Sequence, residues 1–177
     1  MKKLITILFL FMGIVSFGQV ITNPDTVCIN AIGEQYFVTN TPSSSYSWTT
    51  TGTLASGQGT NAITIDWGGT PGLYPNAVSV TETTITGCVG NPVTLDVYIL
   101  ELILQPVSSF CITDFPYTLS ANISGGTFSG NGVNNGVFDP SMAGVGNHVI
   151  TYSLGGCSNT INIAVNSIPI TGPIQHY

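Results

Sequence analysis

The chain has 177 residues, of which two are Lys or Arg and eight are Asp or Glu. The only Lys or Arg residues, Lys2 and Lys3, fall in the first three positions, so residues 19–177 carry all eight acids and no Lys or Arg. Such a chain cannot neutralise nucleic-acid phosphates, adhere by charge to an anionic membrane or clamp a transferring phosphoryl group, and no nucleic-acid partner is expected.

In chain order, the first segment is "MKKLITILFLFMGIVSFGQ": two lysines, an apolar run from Leu4 to Phe17, and the small residues Ser16 and Gly18. This is the pattern of a secretory signal, predicted to span residues 1–18, and it implies a secreted protein in an oxidising compartment. From there the hydrophobic period is two. "QYFVTN", "SYSWTT", "AITIDW", "NAVSVTET" and "VTLDVYIL" are strand-length runs separated by "NTPSSS", "TGTLASGQGTN", "GGTPGLYPN" and "TGCVGNP". "LELILQPVSS", around residues 100–109, reads as a last strand running into a proline-marked joint, too short and too acidic at Glu101 to span a membrane. The rhythm resumes with "YTLSAN", "GTFSG", "GVFDP", "NHVITYSL" and "NTINIAV", and no segment has the pattern of a stable helix. The predicted fold is all-β: two tandem antiparallel β-sandwiches, residues 19–104 and 105–167, followed by a tail at 168–177.

Cys28 and Cys88 bracket the first strand set, and Cys111 and Cys157 the second. Three pairings are possible in principle. The expected ones are Cys28–Cys88 and Cys111–Cys157, each closing one sandwich at its open end, with loop-closure stabilisation of roughly 4 kcal/mol apiece.

Candidate chemistry is sparse. "SGNGVNNG" at 129–136 lacks the glycine spacing of a dinucleotide loop, and no helix follows it, so it reads as tight reversals. His148 is in phase with Ile150, Tyr152 and Leu154, a position on one face of a strand. Two histidines and bonded cysteines do not make a zinc set, and no acidic loop of calcium type is present. A calcium site assembled across loops from Asp66 or Asp139 is the one metal alternative. No nucleophile elbow occurs. The expected protein is therefore not an enzyme and holds no cofactor or metal. Trp48 and Trp67 read as core residues, and the Thr- and Asn-rich exterior as either a binding face or the ordinary coat of an uncharged sandwich.

"VCIN", "YSW" at Tyr46–Trp48, "SGQGTNAITIDW" and "TGCVGNPVTLDVYI" together resemble the PKD-like, immunoglobulin-like modules of secreted Bacteroidota proteins over about residues 25–99. "GGTFSG", "FDP", "AGVG" and "HVITY" in the second half resemble another module of the same chains. The resemblance makes both sandwiches immunoglobulin-like. It implies surface adhesins associated with gliding motility and type IX secretion, and no shared catalytic residues.

The closing run is "PITGPIQHY". Pro169 and Pro173 stiffen it, Ile170 and Ile174 supply apolar anchors, and His176 and Tyr177 add groups that are both apolar and hydrogen-bonding. Stiffness lowers the ordering cost of docking. These six residues are the expected partner-binding site. Its partner would be a protein or saccharide at the cell surface, such as an outer-membrane protein. The functional expectation is a non-enzymatic, exported cell-surface binding or adhesion module, accessory to a surface, gliding or secretion apparatus. The alternative is a structural subunit that forms homo-oligomers, or docks, through strand edges or the tail. The lack of Lys, a usual guard of edge strands, favours that alternative.

Overall fold

A computed structural model describes residues 24–176. The proposed signal segment and Tyr177 lie outside the described residues. The chain divides into two compact units, one ending at Glu101 and the other beginning at Leu102.

The first unit contains β1 (Asp25–Cys28), β2 (Glu34–Phe37), β3 (Ser45–Thr50), β4 (Thr53–Ser56), β5 (Ala62–Asp66), β6 (Gly72–Thr83) and β7 (Val93–Leu100). The second contains β8 (Phe110–Cys111), β9 (Tyr117–Thr118), β10 (Thr127–Ser129), β11 (Val133–Asn134), β12 (Val137–Phe138), the one-turn helix α1 (Pro140–Ala143), β13 (Gly146–Leu154) and β14 (Cys157–Asn166). In the first unit the sheets run β1-β7-β6-β3 and β2-β5-β4, and in the second β8-β14-β13-β10 and β9-β12-β11. The two orders are the same once each strand is advanced by seven. The second unit repeats the topology of the first, and both are immunoglobulin-like sandwiches of the predicted all-β class. Among the described residues of each, the only parallel pair joins the first strand to the last, β1 with β7 and β8 with β14.

Alternation explains the layers. In "SYSWTT" Tyr46 and Trp48 are buried while Ser45, Ser47 and Thr49 face out. Trp48, Val78, Val80, Val97 and Ile99 of the four-stranded sheet meet Tyr36, Ile63 and Ile65 of the three-stranded sheet in one core. The second core joins Ile150, Ile163 and Val165 to Phe138 and Leu119. Fully burying an aliphatic or Phe side chain of this size contributes about 1.5–3 kcal/mol. Both tryptophans belong to the first core, as read from the sequence.

Buried tyrosines pin loops in both units. The Tyr46 hydroxyl accepts from Thr41 N–H (2.7 Å). The Tyr152 hydroxyl accepts from Gly126 N–H (2.7 Å) and donates to Ile123 O (2.7 Å). Gly126 must be glycine for this approach: a Cβ there would stand 2.4 Å from Ser153 O and 2.5 Å from the Tyr152 ring. The "SGNGVNNG" run folds into the expected reversals. Asn134 pairs with Val137 across Asn135 and Gly136, whose φ values of 48° and 79° are those of a type I′ hairpin turn.

Helix α1 is the element absent from the sequence reading. It is a single turn nucleated locally: Asp139 accepts from Ser141 N–H (2.9 Å) and Met142 N–H (3.4 Å), and Pro140 is already fixed in helical φ.

The cysteines depart from expectation. Cys28 and Cys157 are disulfide-bonded, and Cys88 and Cys111 are exposed free thiols, so neither Cys28–Cys88 nor Cys111–Cys157 forms. The parallel pairs supply the reason. Cys28 stands opposite Leu100, beside the Gly72 end of β6, whereas Cys88 follows the Thr83 end. A strand of 12 residues separates them, roughly 35 Å at the usual rise. Cys111 likewise stands opposite Asn166 at one end of β14, and Cys157 is at the other, about 30 Å away. A disulfide needs Cα atoms within about 7 Å.

Candidate functional site

The segment that leaves β14 is the feature the cores do not account for. Residues 167–176 belong to no sheet. Ile170 and Ile174 are 98% and 101% exposed, and Ile168 is more than half exposed. Pro169, Pro173 and His176 are exposed as well. The structure thus places five of the six expected partner-binding residues together on one uncovered stretch, with the sixth, Tyr177, outside the described residues.

The other candidates are structural. His148 Nε2 is 2.8 Å from Gly144 O, and its Nδ1 is 3.4 Å from Asn131 Nδ2. A carbonyl can only accept, so Nε2 donates to Gly144 O, while Nδ1 faces the Asn131 amide. Asp66 Oδ1 accepts from Gly33 N–H (2.8 Å), and Asp139 caps α1. These acids serve turns in separate units, and among the described residues no group of three or more metal-ligating side chains is assembled. The Ser141 hydroxyl and the Ser141 and Met142 N–H groups hold the Asp139 carboxyl below the usual Asp range. Burial pushes the Tyr36 hydroxyl far above the ordinary phenol range, helped by the Asp25 carboxylate to which it donates at 3.0 Å. That pair ties β1 to β2 across the sandwich.

The sheet exteriors carry rows of hydroxyls at cross-strand positions, Ser47 beside Thr81 and Thr151 beside Thr160. Such pairs stabilise a sheet.

Sequence reasoning missed how the strand edges are closed. Strand β3 is the six-residue edge of its sheet. On its outer side the Gln58 carboxamide sits where the peptide of a neighbouring strand would lie. Its Oε1 accepts from Trp48 N–H (3.1 Å) and its Nε2 donates to Trp48 O (3.1 Å). Next to it, Tyr46 N–H donates to Gly59 O (3.3 Å). Strand β14 is joined to β8 over only two residues. Further along β14, Asn159 Oδ1 accepts from Thr160 N–H (2.8 Å) and its Nδ2 donates to Leu102 O (2.6 Å). Amide side chains therefore do here what lysines do on other edges. The signal was present as the Gln of "SGQG", but nothing local says that this turn folds back onto a strand ten residues earlier.

Among known proteins, residues 16–97 match the family described as "PKD-like domain". No curated protein matches. Solved structures with similarity include the fibronectin(III)-like modules of Clostridium thermocellum CbhA, 16% identical over 88% of this chain and 96% of that one, with a TM-score of 0.33. Extracellular domains 3–5 of Drosophila OTK are 14% identical over 87% of this chain and 68% of theirs, with a TM-score of 0.28. No helix among the described residues is long and apolar enough to cross a membrane.

Proposed function

We propose that the protein is an exported, non-enzymatic binding module of the adhesion type, held at the cell surface as an accessory to a surface, gliding or secretion apparatus. In this reading residues 168–177 dock on a protein partner such as an outer-membrane protein. The PKD-like match over residues 16–97 supports the module reading, since such domains are often extracellular binding units. The observation that carries the docking role is Ile170 and Ile174, two large apolar side chains left wholly in water on a segment outside both cores. Each would recover about 1.5–3 kcal/mol on burial against a partner. Polymerisation through strand edges is disfavoured where Gln58 already holds Trp48 N–H and C=O on β3 and Asn159 holds Thr160 N–H on β14.

Deleting residues 168–177 tests the proposal. Both cores should fold unchanged, and cell fractionation should find the protein in the medium instead of the envelope. Unchanged envelope retention would overturn the docking role.

A further inference from the structure

An extended chain directs the N–H and C=O of alternate residues to opposite edges and alternate side chains to opposite faces. In the segment after β14, Pro169 and Pro173 are four apart and so share an edge, where neither can donate. Ile168, Ile170, Gly172, Ile174 and His176 all have the opposite phase and keep their N–H groups on the other edge. The same phase gathers Ile168, Ile170 and Ile174, all exposed, on one face. Pro169, Thr171, Pro173 and Gln175 fall on the other. Read as a strand, the segment has one edge able to bond, one edge blocked twice, and one isoleucine face.

Building on the docking role proposed above, we infer that this segment adds as an edge strand to an open sheet of a different protein, pairing through residues 168, 170, 172, 174 and 176 and burying its isoleucines on that sheet's apolar face. The blocked edge faces solvent, as prolines do on edge strands, so the addition ends with one strand and does not propagate. The acceptor is not a second copy of this chain. Its edge strands β1, β2, β4, β8, β9, β10 and β11 are two to four residues long, too short for a five-residue ladder. On the six-residue edge β3, Gln58 already holds Trp48 N–H and C=O, and on β14 Asn159 holds Thr160 N–H.

The proline phase supplies the test. Thr171→Pro adds a third proline to the edge already blocked, while Gly172→Pro puts one in the middle of the bonding edge and removes no side chain. Both lie outside the cores, so thermal melts of the full chain should match wild type. In cell fractionation Thr171→Pro should retain the protein on the envelope like wild type. Gly172→Pro should weaken retention at least about tenfold, the effect expected of a buried backbone carbonyl left without its donor. A synthetic peptide of residues 167–177 should release the native protein from isolated envelopes, and its Gly172→Pro form should not. Equal loss from both proline variants would overturn strand addition while leaving the docking role intact. Full retention after deletion of 168–177 would overturn both. A tail-dependent oligomer of the purified chain in light scattering would overturn the assignment of a different protein as acceptor.

Discussion

Replacing Gln58 by Ala removes both hydrogen bonds that its carboxamide makes to Trp48, each 3.1 Å long. A neutral hydrogen bond contributes about 0.5–1.5 kcal/mol net, and these two are partly open to water, so the expected loss is about 1–2 kcal/mol. For a unit of this size that corresponds to a drop in melting temperature of roughly 4–8 °C per kcal/mol. The assay is selective because the chain has only two tryptophans, Trp48 and Trp67, and both lie in the first core. Indole fluorescence during urea denaturation therefore reports that unit alone. With a slope near 1 kcal/mol/M, the midpoint should fall by about 1–2 M. Gln58→Glu separates the two bonds. Its carboxylate can accept from Trp48 N–H but cannot donate to Trp48 O. Protonation restores the donor, so the folded-state pKa of this Glu is raised above its unfolded value. The stability it regains is then present below about pH 4 and lost as pH rises through the raised value. Freed edge groups should also let the Ala variant associate, seen as an apparent mass that grows with concentration. An unchanged midpoint for the Ala variant, or a Glu variant as stable as wild type at pH 7, would refute the reasoning.

Two further outcomes follow from the structure. Under native, non-reducing conditions a maleimide should label Cys88 and Cys111 and spare Cys28 and Cys157, with peptide mapping by a protease other than trypsin; a Cys28–Cys88 peptide would contradict the strand register. Asp139→Ala should lower the calorimetric melting of the second unit by a few degrees at neutral pH. Because that carboxyl is held below its ordinary pKa, its contribution is complete above about pH 4 and lost as pH falls through the depressed value; a difference from wild type that persists undiminished at pH 2 would count against the cap.

The sequence by itself determined whatever depends on neighbours along the chain. "SYSWTT" commits Tyr46 and Trp48 to one face because the strand period is two, and Asn135-Gly136 commits to a hairpin because both must take positive φ. That no Lys or Arg follows Lys3 was legible without reference to a fold, and the expectation of no nucleic-acid partner rests on it alone. The phase of Pro169 and Pro173 was also there to read, although it acquired meaning only once the flanking isoleucines proved uncovered. Contacts between distant segments were decided by tertiary structure. Bracketing cysteines look like natural partners on a line, but the parallel pairing of β1 with β7 and β8 with β14 moves each to the far end of a long strand from the other. The closure of β3 by Gln58 depends on where a loop returns, and one glutamine in a glycine turn encodes no destination. Periodicity and turn chemistry act over a few bonds and can be read residue by residue. Register and edge closure are settled by which long-range arrangement buries both sheets at once, and that is a property of the whole sandwich.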